Sequence, residues 1–192
     1  MAGRTVLFGG TFDPIHNAHL EIAREVLRRF DVPRIIFIPA AHPPHKGDRP
    51  QAPFADRVRM AELACEGEPR FEVSRIEEGA ERSYSILTIE KMLAAGAGPL
   101  SFLIGADAFA EIETWHRWRD VVRLVEFIVV TRPAAKWHLP ESASVRELSG
   151  LWLPTSSSGI RQAIAAGESK IPVPPAVLAL IREKGLYQSQ RP

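Results

Sequence analysis

The chain has 192 residues, 45% hydrophobic and 24% charged, enough for one core of ordinary size and too short for two comfortable domains. A formal charge of +1 gives no global attraction to nucleic acid or to a membrane surface, so any basic site must be local. The single cysteine, Cys65, excludes an intrachain disulfide; no apolar run approaches the roughly 18 residues of a membrane span and no leader is visible, so the expected location is the cytoplasm.

In chain order, the first informative stretch is residues 5–20, TVLFGGTFDPIHNAHL. Thr5-Val6-Leu7-Phe8 is an apolar, β-branched run that predicts a strand. Gly9-Gly10 permits a sharp turn with close backbone approach, and Leu20, Ala23, Val26, Leu27 and Phe30 recur at helical spacing. With the helix beginning between Pro14 and Asn17, His16 and His19 share one face of its first turn, beside unpaired backbone N–H groups and the positive end of the helix dipole. Phosphate is the natural guest of such a strand-to-helix turn; from the spacing alone, two ordinary surface histidines are the alternative.

Residues 34–38, RIIFI, read as a second strand, buried on both faces because the apolar residues do not alternate with polar ones. A strand, helix, strand order implies a parallel pair, and the alternation continues, so the fold expected is α/β with a doubly wound, mostly parallel sheet. Residues 40–53, AAHPPHKGDRPQAP, form a loop carrying His42, His45 and Lys46. It leaves the same carboxyl edge of the sheet as the glycine turn, which places Lys46 within reach of phosphates. Phe54 to Glu66 reads as a helix with Phe54, Val58, Ala61 and Cys65 on its apolar stripe, Cys65 as a buried inert thiol, and residues 70–75 read as a third strand.

Ser83 is placed to cap a helix that stops at Gly96, and residues 100–104 predict a fourth strand with Gly105-Ala106-Asp107 just past its end. That is the carboxyl edge where α/β folds place their ligands, and a helix N-cap is the equal alternative for Asp107. TWHRW precedes a short helix with Val121, Val122 and Leu124, and residues 127–130 predict a fifth strand closed by Thr131-Arg132-Pro133. Residues 133–150 show little periodicity and receive no assignment, while residues 151–153 are expected to form a short sixth strand. Residues 155–161, TSSSGIR, open a helix in which hydroxyl and N–H donors come together. Pro174-Pro175 begins the last helix and Gly185 ends it.

GGTFDPIHNAHL resembles the signature of nucleotidyltransferases that carry a (T/H)xGH motif, with Ala18 in the place of the glycine. The pieces PPHK, SYSILT, IGAD with TWHRW, TRP and TSSSGIR then follow in the order of the bacterial nicotinate-nucleotide adenylyltransferase family, so that the resemblance runs from Val6 to Tyr187. Ser85 stands where that family has threonine, Leu87 where an acidic residue is common, and Thr155 and Ser158 depart from its usual ISST. The resemblance implies one Rossmann-like nucleotidyltransferase domain over residues 1–192, with residues 156–192 as its C-terminal helical part. It also implies transfer of AMP from ATP to nicotinate mononucleotide, giving deamido-NAD and pyrophosphate.

By the same resemblance His16 and His19 contact the ATP phosphates. Arg161 and the N–H groups near Ser156 and Ser157 hold the β and γ phosphates, and Lys46 closes over them. Gly9, Gly10, Thr11, Phe12, Gly105 and Asp107 complete the implied ATP site. Tyr84, Ser85, Trp115, His45 and Arg132 are implied for the mononucleotide, Trp115 by stacking on the pyridine ring. Mg2+ would ride on the ATP phosphates rather than on a protein cluster, and no nucleic-acid or membrane partner is implied. Two alternatives stay open: an adenylyltransferase for nicotinamide mononucleotide or phosphopantetheine, and a nucleotide-binding sensor that keeps the fold without turnover.

Overall fold

The computed structural model describes residues 3–43, 50–131, 137–151 and 153–188. Among these, six parallel strands form one sheet: β1 (Thr5–Gly10), β2 (Ile35–Pro39), β3 (Phe71–Val73), β4 (Leu100–Gly105), β5 (Val125–Val130) and β6 (Ser144–Leu148). The helices are α1 (Asn17–Arg29), α2 (Phe54–Cys65), α3 (Ser85–Ala94), α4 (Ala106–Ala110), α5 (Trp118–Leu124), α6 (Ser157–Ala165) and α7 (Pro175–Glu183). The strand order is β3-β2-β1-β4-β5-β6. The chain therefore winds outward from β1 to one edge, returns to β4 on the other side of β1, and winds outward again. Connections leaving β1 and β4 diverge in opposite directions, which opens a crevice at their carboxyl ends.

The side-chain alternation of β1 divides the core between the two faces of the sheet. Val6 and Phe8 pack with Leu20, Ala23 and Val26 of α1, Met60 and Ala61 of α2, and Val177 and Ile181 of α7. Leu7 faces the other way, with Ile86 and Ile89 of α3, Phe109 of α4 and Val121 of α5. Both faces of β1 and β2 are covered, which is why their sequences lack a polar alternation. Cys65 lies in this core, where burial pushes its thiol up to about 12, as expected of an inert structural cysteine.

Three local expectations are corrected. The sixth strand is Ser144–Leu148, in the stretch that shows no periodicity, and Leu151 and Leu153 lie outside any strand. The reason is its edge position: only Leu148 of β6 is buried, so the strand pairs with β5 through its backbone while its side chains remain largely polar and exposed. Ser83 does not cap α3. Tyr84 occupies the N-cap without a side-chain cap bond, and the Ser83 hydroxyl accepts from the His42 N–H at 2.9 Å. Finally, Gly9 and Gly10 end β1, paired in register with Ile38 and Pro39, and do not themselves make the turn.

Candidate functional site

At both glycines an aromatic ring approaches the backbone closely. A Cβ on Gly9 would stand 3.2 Å from the Phe102 ring, and one on Gly10 3.0 Å from the Phe12 ring. The turn itself is made at Phe12, whose φ of 49° lies in the left-handed region that costs a residue with a Cβ roughly 1 to 2 kcal/mol. Burial offsets that cost: Phe12 is 2% exposed, edge-on to Phe8 at 5.6 Å and to His19 at 5.1 Å between ring centroids. The same turn is held from below by Arg57 of α2, which is 1% exposed. Its guanidinium donates to the carbonyls of Thr11 at 2.6 Å, Ala40 at 2.8 Å and Ala52 at 3.2 Å, fastening the turn to both ends of the loop that follows β2.

α1 begins beyond this turn, and His16 is its N-cap, so His16 and His19 do fall at its first turn. Their rings stack at 3.7 Å between centroids with 22° between planes. The His16 backbone N–H donates to Nδ1 of His19 at 3.2 Å, which assigns that nitrogen as the acceptor and leaves the ring hydrogen on Nε2 as a donor. His16 is 4% exposed, and its Nδ1 has no hydrogen-bond partner among the described residues. Burial lowers its pKa from 6.5 to about 4, so at neutral pH the stacked pair carries no charge on His16.

That shift has a measurable consequence. The unfolded chain takes up a proton on His16 below pH 6.5, whereas the folded chain refuses it until about pH 4. The stabilisation is therefore complete above pH 6.5 and is lost as the pH falls through that window, by at most ~3 kcal/mol. Urea unfolding at pH 7 and pH 4.5 should show a smaller loss of stability in His16→Gln than in the wild type; equal losses would contradict the assignment.

Opposite α1, Ser156 caps α6, its hydroxyl accepting from the Gly159 N–H at 3.2 Å, while the Ser157 hydroxyl donates to the Pro14 carbonyl at 3.0 Å. These bonds set the start of α6 against the turn before α1. One turn further on, Arg161 Nη1 donates to the Asp13 carbonyl at 2.8 Å, and the Arg161 Nε is buried with no partner among the described residues. Two orphaned polar groups, on His16 and Arg161, thus line the same cleft. Unpaired buried polar atoms are uncommon; the Arg161 Nε–H is a donor that an anion satisfies, and the His16 Nδ1 is one in the tautomer that carries its ring hydrogen there.

This cleft, of about 600 Å³, runs from the two histidines, Arg161 and the serines of α6 to Gly105 and Asp107 past the end of β4. Asp107 is exposed in the first turn of α4, whose N-cap is Gly105 rather than Asp107. A second cavity of about 280 Å³ lies on the other side of the β1 end, lined by Gly9, Gly10, Tyr84, Ser85, Trp115 and His116 among others. Thr11 and Ile104 line both cavities, so the two share a wall at the switch point between β1 and β4. Trp115 is half-buried and edge-on to Phe102 at 5.9 Å, and the Tyr84 ring stacks on His116 at 4.4 Å.

The cytidylyltransferase-like family model matches residues 7–163. A protein of Solibacter usitatus named "Probable nicotinate-nucleotide adenylyltransferase" is 58% identical over 187 residues, covering 96% of this chain and 99% of that relative. A Geobacillus kaustophilus protein of the same name is 39% identical over 188 residues, covering 96% of this chain and 86% of its own. The chain belongs to the nicotinate-nucleotide adenylyltransferase family. Among solved structures, the nicotinic acid mononucleotide adenylyltransferase of Plasmodium falciparum, complexed with NaAD, matches with a TM-score of 0.76 at 19% identity over 96% of this chain and 97% of that one. It shares the Rossmann-like nucleotidyltransferase fold.

Set against the resemblance to this adenylyltransferase family, the structure gathers His16, His19, Thr11, Gly105, Asp107, Ser156, Ser157 and Arg161 around one cleft, and Tyr84, Ser85 and Trp115 around the adjoining cavity. Gly9 and Gly10 line the second cavity rather than the first, and Phe12 lines neither, its ring being spent on packing against His19. His45, Lys46, Arg132 and Trp152 lie outside the described residues. Ala18, which replaces the motif glycine, is helical, buried and in the cleft wall, where its methyl fits. Arg57, Asp13 and Glu77 were not singled out in the sequence. Glu77 is buried beside the second cavity, accepting from the Thr88 hydroxyl at 2.7 Å and the Ala41 N–H at 3.2 Å.

Proposed function

We infer that this chain transfers AMP from MgATP to nicotinate mononucleotide, giving deamido-NAD and pyrophosphate, as a step of NAD biosynthesis in the cytoplasm. The observation that carries this reading is the pair of cavities meeting at Thr11 and Ile104. One is walled by histidines, an arginine and helix N-termini; the other is mainly apolar, with an indole and the uncapped start of α3. The first suits a triphosphate with its ribose toward Asp107, and the second suits a flat ring bearing an anion. Mg2+ enters with ATP as part of the substrate, where it neutralises phosphate charge. Among the described residues no group of three or more His, Cys, Asp or Glu side chains is placed to hold a metal ion.

The chemistry asks little covalent participation of the protein. A phosphate oxygen of the mononucleotide, largely ionised at neutral pH, attacks the α-phosphorus of ATP. The bond from that phosphorus to the bridging oxygen breaks, and its electron pair leaves with pyrophosphate. His16, His19 and Arg161 stabilise the charge that develops on the leaving group, and the N–H groups at the start of α6 hold it in line. Lys46 joins them in this reading, and His45 and Arg132 hold the phosphate of the mononucleotide. Residues 156–192 act as the C-terminal helical part of the same domain, bringing Arg161 to the cleft.

The direct test mixes protein, MgATP and nicotinate mononucleotide and follows pyrophosphate and dinucleotide together. One pyrophosphate per deamido-NAD, and no pyrophosphate without the acceptor, is the expected result. Nucleotide binding without product under any of these conditions would favour the sensor instead.

A further inference from the structure

Asp13 is a buried carboxylate on which three chain segments converge. Its Oδ2 accepts from the Gln51 N–H at 2.8 Å, and its Oδ1 from the Ala52 N–H at 3.1 Å and the Tyr187 hydroxyl at 2.7 Å. The third segment is α6. Arg161 Nη1 approaches Oδ2 only to 3.8 Å, because it donates to the Asp13 main-chain carbonyl at 2.8 Å. The hydrogen bonds to the carboxylate thus come from neutral donors, and the guanidinium is anchored through the backbone, its ion pair with the carboxylate held longer than hydrogen-bond distance. An arginine left to pair fully with a buried carboxylate would close to hydrogen-bond distance in a bidentate geometry and would face away from any other anion.

Tyr187 takes Oδ1, the second oxygen that a bidentate pair with Arg161 would need, while Arg161 faces Oδ2. Tyr187 follows α7 with a left-handed φ of 61°, its ring sits in the core beside α7, and Lys184 pairs with Asp56 of α2 at 3.3 Å. The segment is fixed ahead of this contact by Lys184 and at it by the buried ring, so the hydroxyl is delivered to Asp13 by packing. Burial and the neighbouring carboxylate push the phenol pKa well above its ordinary value, so the group stays a donor.

We propose that Tyr187 is a positioning residue for Arg161: by donating to Asp13 it occupies the carboxylate and leaves the guanidinium available to the triphosphate. The proposal rests on the reading of the cleft as the ATP site. In Tyr187→Phe the ring still fills its place, Oδ1 of Asp13 loses its hydroxyl donor, and Arg161 closes from the 3.8 Å ion pair to bidentate hydrogen bonds with both oxygens. ATP then competes with those hydrogen bonds, whereas the mononucleotide does not.

Calorimetric titration of MgATP and of nicotinate mononucleotide into the full-length wild type and Tyr187→Phe tests this. The Kd for ATP should rise about 5- to 50-fold, while that for the mononucleotide changes by less than about twofold. In an Arg161→Ala background, adding Tyr187→Phe should change the Kd for ATP by less than about twofold, because the group being positioned is gone. A purely structural tyrosine would instead weaken both ligands together and add its effect on top of Arg161→Ala, which would overturn the proposal. So would unaltered ATP binding in Tyr187→Phe, or failure of that variant to fold, since the closed ion pair is expected to replace the lost bond. A wild type that does not bind MgATP at all would remove the ATP-site reading itself; a wild type that binds it beside an unaffected Phe variant removes only the role of Tyr187.

Discussion

His19→Ala is expected to lower kcat by more than about 100-fold while leaving the circular dichroism spectrum unchanged, the size of loss seen when one preorganised donor to a developing anion is removed. The geometry makes this specific. The His16 backbone N–H holds the His19 ring through Nδ1, and Phe12 supports it from behind at 5.1 Å, so the Nε2 donor is fixed before any substrate arrives. Because the ring is half-exposed at the cleft, its removal leaves no buried cavity comparable to a core deletion. His16→Ala should lose turnover by a similar factor, but with some stability, since that ring is buried against its neighbour. A near-normal kcat for His19→Ala in a folded protein would reduce the pair to a structural device.

The largest effect on stability is expected at Arg57. In Arg57→Ala the carbonyls of Thr11, Ala40 and Ala52 all lose a charged donor in the interior, and the Asp13 carboxylate loses the neighbouring positive charge. Breaking a buried charged network from one side costs about 3 to 5 kcal/mol, a large share of the roughly 5 to 15 kcal/mol that holds a typical domain. Arg57→Lys should recover only part of it, because a single ammonium cannot reach the carbonyls that a planar fork spans. Urea unfolding of the three proteins measures this directly. A loss below about 1 kcal/mol in Arg57→Ala would mean that water replaces the guanidinium without difficulty.

The central elements were legible in the sequence because burial on both faces leaves a plain mark. Residues 5–8 and 35–38 are continuous apolar runs, and the helix between them repeats Leu20, Ala23, Val26 and Leu27 at helical spacing. β6 was not legible, because an edge strand with one buried residue owes its place to backbone pairing with β5, which no side-chain pattern records. The glycines were legible as a constraint but not in its cause. They admit the rings of Phe102 and Phe12, while the left-handed turn falls on a phenylalanine that no turn rule would choose.

The site divides in the same way. His16, His19, Asp107 and Arg161 could be named because each lies in a segment that resembles a known motif. Asp13 and Tyr187 could not be joined, since their contact spans most of the chain and depends on how α7 docks. Arg57 left a readable trace: it falls on the same helical face as Phe54, Val58 and Ala61, and an arginine inside an apolar stripe marks a buried cation with work to do.

Among the tests available, the acceptor preference bears most directly on the proposed reaction. Nicotinate and nicotinamide mononucleotides differ only in carboxylate against carboxamide, so shape cannot separate them and charge must. α3 starts at Ser85 with no side-chain cap, at the wall of the cavity that also holds Trp115. Its first N–H groups favour a carboxylate, whereas the amide presents its own donors to them, at a loss of about 1 to 3 kcal/mol for each group left unsatisfied. Pyrophosphate release from MgATP, with nicotinate mononucleotide, nicotinamide mononucleotide and phosphopantetheine offered separately, should give a kcat/KM at least about 100-fold higher for the first than for the second and none above background for the third. Comparable values for the two mononucleotides would contradict this assignment of the second cavity.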